Sequence, residues 1–393
     1  MNTLNPTIPP PRPGAVPAAM LQAIAGWDGA PPDVVLVNDP QRATASPEVL
    51  RQAQGMLDLS NARVLVATGS HRFSAEQRRE MERGFKDIRT GEWDWHDARR
   101  TDLVPIGGPV GWRAHPWVTH ARRLLAIGSV EPHYFAGFSG AHKTVTIGCA
   151  SHMDIERNHA GAMDPACRPC RLAGTPVHEG VVEMLARLEA DRSVRAVNLL
   201  QIGAEIVDAA GGTPLRALET LAPAVEAAYL RGIPRPAEAL VLEVTGALSC
   251  SFYQAEKGIK NSEAAVRDGG VLVLCAACPQ GIGQNAFVRL LCEAPTHRAA
   301  VDLVRRRGYH LGDHKAVRLR YLTDPACRGV RVWVVSPGLS AADAAVLGVI
   351  RAVSVEAALQ DAGVDPAGDD VYQVEDAGNT CVVRETGRTR RMQ

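Results

Sequence analysis

Hydrophobic and polar positions along the chain alternate between two periods. Short unbroken apolar runs, DVVLVND (33–39), ARVLVATGSH (62–71) and RRLLAIGSV (122–130), have the length and β-branched content of buried strands. Between them lie stretches with apolar residues every three to four positions, the spacing of amphipathic helices: SPEVLRQAQGMLDL (46–59) and SAEQRREMERGFKDI (74–88). The first opens on Ser46 as its cap. The second places Gln77 three residues after Ser74, the spacing of a capping box. TPVHEGVVEMLARLEA (175–190) and PLRALETLAPAVEAAYLRG (214–232) carry the same helical pattern. This β-α-β-α rhythm predicts an α/β fold with a mainly parallel sheet.

The rhythm breaks at Arg231-Gly-Ile-Pro-Arg-Pro236, where two prolines and a glycine end a helix and restart the chain in extended form. A second alternation follows: EALVLEVTG (238–246), EKGIKNSEAAVRDGG (256–270), VLVLCAAC (271–278), a helix near 286–294, VRVWVVSPG (330–338) and SVEAALQDAG (354–363). Two α/β domains are therefore expected, over 21–232 and 233–393, each with a mainly parallel sheet and with an active-site cleft between them. A Pro-rich segment, MNTLNPTIPPPRPGAVPAAM (1–20), reads as an extended N-terminal arm, because proline fixes φ and removes donors.

Bulk properties narrow the class. With 393 residues, 46% of them hydrophobic, the chain can bury more than one core. Its formal net charge is zero and it has no long charge run, so neither a nucleic-acid nor an anionic-membrane partner is implied. The longest apolar runs, such as 270–277, are strand-sized and far short of the roughly 20 residues of a membrane span. The start of the chain lacks the charged head and apolar block of a secretory signal, and a cytoplasmic location is the expectation. The nine cysteines do not form a disulfide framework. Cys167–Cys170 and Cys275–Cys278 both have CxxC spacing, but no further pair repeats it, which argues against structural zinc.

Chemistry-bearing residues gather just after the strand patterns. Asp39 and Arg42 follow the first, His71 the second and His133 the third; Tyr253, Gln254 and Lys257 follow EALVLEVTG. These are the positions where open α/β sheets collect ligands. Taken singly, each has an ordinary explanation: a capping histidine, a packed loop histidine, a local Asp39–Arg42 ion pair, a solvated lysine on a helix face. Their joint placement favours a site. Two histidines supply acid and base near neutral pH. Arg42 and Lys257 suit a carboxylate, Arg42 as a two-pronged donor, and Gln254 offers amide hydrogens. The set suits a small hydroxy or keto acid, and two acid/base groups can serve the two faces of one prochiral carbon.

The stretch from Glu131 to His159 holds four of the twelve histidines and Lys143. FSGAHKT lacks the spacing of a nucleotide P-loop, so Lys143 is either a point charge for a phosphate or a covalent attachment point. His152 and His159, seven apart, could share a metal, although His152 is better read as a surface residue.

With these residues in view, the sequence resembles the nickel-pincer lactate racemase family over most of its length. The resemblance is carried by Asp39 and Arg42 in DPQR, His71 in TGSHR, His133 and Lys143 in PHYFAGFSGAHK, His159 in RNH, and Tyr253, Gln254 and Lys257 in FYQAEKG. It implies a pyridinium mononucleotide cofactor whose two sulfur-bearing groups and a ring carbon grip nickel, made by dedicated cofactor-biosynthesis enzymes. It further implies that Lys143 tethers this group with Asp39 nearby, and that His159 ligates the nickel. His71 and His133 would be the alternating bases, taking the substrate hydroxyl proton while the α-hydrogen leaves as hydride. Arg42, Tyr253, Gln254 and Lys257 would hold the carboxylate of a 2-hydroxy acid. The chain departs from the family pattern at Gly140-Ala141-His142, where two glycines and an arginine are usual, and in the Ala-Thr-Ala-Ser run after Arg42. Both leave the substrate open between lactate and larger 2-hydroxy acids. Two other classes fit the same residues less well. One is a zinc hydrolase using His71, His133 and His159; the other is a non-catalytic carboxylate or nucleotide binder.

Overall fold

The computed structural model describes residues 1–107 and 111–385. Its backbone separates into two compact units. One comprises residues 8–131 and 135–226. The other comprises Met1–Thr7, the short insert Pro132–Tyr134 and the chain from Ala227 onward. We refer to them as the first and second units.

The first unit is built on a six-stranded sheet. In spatial order its strands are Glu205–Gly212, Ser193–Ile202, Arg123–Ser129, Val34–Asn38, Arg63–Ala67 and Trp93–Trp95. All neighbours pair in parallel except the first two, an antiparallel hairpin. The central strands are near-continuous Val, Leu, Ile and Ala because helices cover both faces and no polar face is needed. Chain order runs outward from Val34–Asn38 in one direction, then resumes on its other side with Arg123–Ser129. The reversal makes a switch point at the carboxyl ends of these two strands.

The second unit carries another six-stranded sheet, all parallel: Asn2–Leu4, Val371–Val374, Ala237–Glu243, Val266–Cys275, Arg331–Val335 and Ile350–Arg351. Its core packs Val241, Val271, Val273 and Trp333 against Ala358 and Leu359. The order again reverses, between Ala237–Glu243 and Val371–Val374. The chain leaves Ala237–Glu243 into the helix Phe252–Ser262, which Asn261 ties to that edge through bonds to the Ala377 and Gly378 carbonyls.

The α/β class and the mainly parallel sheets agree with the sequence. Several local expectations shift. Helix 46–59 stops at Ala53, and Ser46 lies inside it with Ala45 at the cap, its buried hydroxyl accepting no backbone N–H. The capping box of Ser74 and Gln77 forms as expected. The Pro-rich arm is not extended throughout. Asn2–Leu4 is an edge strand of the second unit, and Ala15–Ala23 is a helix whose Ala19, Met20 and Ala23 are buried in the first unit's core. The segment 256–270 is divided between the end of helix Phe252–Ser262 and the start of strand Val266–Cys275.

Candidate active site

In the first unit the switch point is lined by short, polar, locally hydrogen-bonded side chains. Asp39 caps a single turn, Pro40–Arg42, by accepting from the Gln41 N–H at 2.9 Å through Oδ1. Its other oxygen lies 2.8 Å from Nδ1 of His71. Asp39 is buried and His71 partly exposed. A carboxylate in this position accepts from Nδ1–H, so the imidazole lone pair sits on Nε2, the tautomer a general base needs. Arg42 faces Glu131 at 3.6 Å, across the switch point. Glu131 in turn accepts from Ser129 Oγ at 2.9 Å, and Thr44 meets Ser129 at 3.0 Å.

Lys143 lies on the short helix Ala141–Val145, which sits directly on the sheet. A Cβ on Gly128 of strand Arg123–Ser129 would lie 2.5 Å from the Ala141 nitrogen, so only glycine permits this approach. Asn198 anchors the helix by accepting from the Ala141 N–H at 2.8 Å. The turn after this helix accepts the Gly69 N–H at the Gly148 carbonyl (2.9 Å), joining the His71 loop to the Lys143 segment.

The third member of this group is His159, on helix His152–Ala160. Its Nδ1 is 3.2 Å from Oδ1 of Asn158. Asn158 donates through Nδ2 to the Val177 carbonyl at 2.9 Å, which fixes the amide and leaves Oδ1 as the acceptor facing the imidazole. The proton therefore belongs on Nδ1 and the lone pair on Nε2. Phe135 packs edge-on against the His159 ring at 4.9 Å, and Lys143 Nζ lies 5.6 Å from the Phe135 ring centre. Desolvation, reinforced by the positive charge of Lys143 and by His71, pushes the His159 pKa down to about 3. A neutral imidazole held by a backed amide is what metal coordination requires. Thus the first unit brings Asp39, Arg42, His71, Lys143 and His159 together around one sheet edge.

The remaining expected residues belong to the second unit. Tyr253, Gln254 and Lys257 are half-buried on the first turns of helix Phe252–Ser262, where residues three and four apart share a face. Burial, with the charge of Glu256 behind it, pushes the Tyr253 phenol well above its ordinary range. His133 is nearly buried and its ring stacks on Tyr134, 5.4 Å between centres and 10° from parallel.

Asp39, placed at the cofactor on resemblance, makes its side-chain contact with His71. His142, the break in the glycine-rich stretch, is fully buried 5.8 Å from His178. Neither of its ring nitrogens has a hydrogen-bond partner, and burial holds it neutral well below pH 6.5. His152 is half-buried, 2.8 Å from Arg99 and 3.5 Å from Glu156. The residues of both CxxC pairs are free thiols. Among the described residues no three His, Cys, Asp or Glu side chains form a metal-binding group, and no helix is long and apolar enough to cross a membrane.

Sequence reasoning missed Asn158, Tyr134 and Phe135, which flank singled-out residues but hold no chemistry of their own. It also missed His314, Lys315 and Arg318, on a helix whose weak amphipathic pattern marks no buried face.

Comparison with known proteins identifies the family. Residues 32–168 match the lactate racemase N-terminal domain and residues 238–314 the lactate racemase C-terminal domain. The chain belongs to the lactate racemase family. It is 26% identical over 298 residues to lactate racemase of Thermoanaerobacterium thermosaccharolyticum, covering 70% of this chain and 66% of that protein. It is 26% identical over 290 residues to lactate racemase of Lactiplantibacillus plantarum, covering 68% and 65%. These matches therefore span just under two thirds of the length of either relative. In structure the chain is similar to the lactate racemase apoprotein of T. thermosaccharolyticum, with a TM-score of 0.84, 24% identity and 98% and 95% of the two chains covered. A protein from Thermotoga maritima shares the fold more distantly, with a TM-score of 0.71 and 14% identity over 94% and 97%.

Proposed function

We propose that this lactate racemase family member interconverts the enantiomers of a 2-hydroxy acid, lactate or a larger 2-hydroxy carboxylate. The observation that carries the reading is the joint environment of His159, Lys143 and His71: one neutral, backed imidazole, one amine and one carboxylate-paired imidazole at the same sheet edge.

These residues fit the nickel-pincer nucleotide of the family. His159 offers a neutral Nε2 lone pair of the kind nickel accepts, and Lys143 offers an amine for covalent attachment. When bound, that group would supply a reversible acceptor for the substrate's α-hydrogen. The chain's own residues do the rest. On this reading Arg42 of the first unit and Tyr253, Gln254 and Lys257 of the second are the residues assigned to the substrate carboxylate. His71 accepts the hydroxyl proton at Nε2, and Asp39 stabilises the imidazolium that results. His133 does the same for the other enantiomer. Because the two enantiomers differ only in which face of the central carbon carries hydrogen, one proton acceptor for each is sufficient.

The test is to produce the protein with and without the cofactor-making enzymes. Bound nickel and the mass carried by Lys143 are then measured, and a panel of 2-hydroxy acids is followed by chiral chromatography. Nickel near one per chain, a mass increment on Lys143 and loss of optical purity support the proposal. A chain that stays unmodified and nickel-free under full cofactor supply overturns it. So does stoichiometric zinc with ester or amide hydrolysis, or carboxylate binding without turnover.

A further inference from the structure

The insert Pro132–Tyr134 comes from the middle of the first unit's sequence yet packs with the second unit, and the helix Asp313–Thr323 is what receives it. That helix is unusual in burying its polar residues: Asp313, His314, Lys315 and Arg320 are each at most 5% exposed. Groups of this kind are costly to bury unless something holds them in place.

Three side chains of the helix converge on Tyr134. His314 Nε2 meets the Tyr134 hydroxyl at 2.9 Å, and its Nδ1 meets the Tyr309 hydroxyl at 2.7 Å. A neutral imidazole has one donor and one acceptor, so the two phenols are bound in complementary senses and the ring cannot rotate without losing both. One turn on, Arg318 lies 5.6 Å from the centre of the Tyr134 ring and donates to its carbonyl at 3.4 Å. Lys315 Nζ is 5.4 Å from the same ring and 4.0 Å from the ring of Tyr253, and it donates to the Tyr253 carbonyl. Glu263 pairs with Arg318 at 2.6 Å and with Lys260 at 3.0 Å. Behind them lies Glu256, fully buried and with no hydrogen-bond partner at either oxygen; burial raises its pKa, and the nearby cations Lys315, Lys260 and Arg318 oppose that rise.

One helix thus grips Tyr134, against which His133 is stacked, and Tyr253, the first of the expected carboxylate-binding residues. We propose that His314, Lys315 and Arg318 are positioning residues, which hold the His133 imidazole in register with the substrate-binding face of helix Phe252–Ser262 through Tyr134 and Tyr253. The inference rests on the reading of His133 as a base and of Tyr253, Gln254 and Lys257 as a carboxylate site. None of the three positioning residues touches the reacting atoms in this assignment. Their effect is geometric, and misplacement of a base by a fraction of an ångström is costly to turnover.

The test uses the full chain loaded with cofactor. Tyr134→Phe removes the hydroxyl that His314 holds but keeps the stacked ring. It is expected to lower kcat about tenfold with KM changed less than about twofold, since the carboxylate contacts remain. Lys315→Met is expected to lower kcat and also raise KM about threefold or more, because Tyr253 loses its anchor. Lys315→Arg, which keeps the cation, is expected to recover most of both. Nuclear magnetic resonance of 13C-histidine-labelled protein gives a readout independent of turnover. The His133 ring signal, assigned by its loss in His133→Asn, should shift or broaden in Tyr134→Phe as the stack loosens. Normal kcat and KM per active site in both variants, or an unmoved His133 signal in Tyr134→Phe, would overturn the proposal. Failure of the underlying reading looks different: His133→Asn would then turn over normally, whatever the Tyr134 and Lys315 variants do.

Discussion

Replacing Asp39 by Asn is the sharpest probe of the first unit's site. Asp39 makes two contacts through separate oxygens, Oδ1 to the Gln41 N–H at 2.9 Å and Oδ2 to His71 Nδ1 at 2.8 Å. An asparagine keeps one oxygen. If that oxygen stays on Gln41, the amide NH2 faces His71 and donates to Nδ1, which drives the imidazole proton to Nε2 and removes the base. If the amide turns over, His71 keeps its tautomer but the Gln41 N–H loses its acceptor. Depriving a part-buried backbone donor of this acceptor costs about 1–3 kcal/mol, and exchanging a charged acceptor for a neutral one adds to it. At about 2–3 kcal/mol the penalty corresponds to about a 30- to 150-fold fall in kcat. Substrate affinity should stay near the parent value, since Arg42, Gln254 and Lys257 are unchanged. Asp39→Ala makes the contrast. It leaves His71 able to adopt either tautomer, so its turnover should fall less than that of Asp39→Asn. It also strips the Gln41 N–H of its acceptor and opens a small void, so its stability should fall more, by about 1–2 kcal/mol. The assay is racemisation followed by chiral chromatography, with urea unfolding for stability. Because the equilibrium constant of a racemisation is one, kcat/KM must fall by the same factor in both directions. An Asn variant within about threefold of the parent, beside an inactive Ala variant, would refute the tautomer argument.

Three further outcomes follow from the geometry. In Gly180→Ala the new Cβ would lie 2.6 Å from Asn158 Nδ2 and push the amide off His159; nickel retained per chain after dialysis against a chelator should fall about 10- to 100-fold in affinity, with the fold intact. In Gly128→Ala the Cβ would lie 2.5 Å from the Ala141 backbone nitrogen, an atom that cannot swing aside; a loss of about 2–3 kcal/mol in urea unfolding is expected, and a neutral result would show that the Lys143 helix is not seated on the sheet. Burial holds the His96 pKa down to about 4, with its Nε2–H on the Ala150 carbonyl at 2.9 Å. The unfolded chain binds this proton near the ordinary 6.5, so the contribution is intact above pH 6.5 and is lost as pH falls towards 4. About 2 kcal/mol should be gone by pH 5, and His96→Gln should flatten that acid limb of the stability profile.

What the sequence determined by itself was periodicity and order. The apolar runs at 34–38, 63–67 and 123–129 could be read as strands because a strand covered on both faces must be apolar throughout. The residues that end such strands fall at the sheet's carboxyl edge wherever the strands pair in parallel, so Asp39 and His71 could be placed at one edge of the sheet, but their 2.8 Å contact could not be read from the sequence. The sequence could not show which partner each would take. Asp39 was free to meet Arg42 or a cofactor; the turn at Pro40–Arg42 directs one oxygen inward to Gln41 and the other to His71, and Arg42 instead faces Glu131. Tertiary structure alone decided the surroundings of His159 and His133. His159 is held neutral by its burial, with Lys143 close by, and its ring is oriented by Asn158, itself held by Val177. Tyr134, on which His133 stacks, is held by a helix 180 residues further along the chain, whose buried Asp313, His314 and Lys315 break the rule that charge lies outside. Local propensity reports what a segment can form by itself; the cost of burying charge is settled only by partners that folding brings from elsewhere.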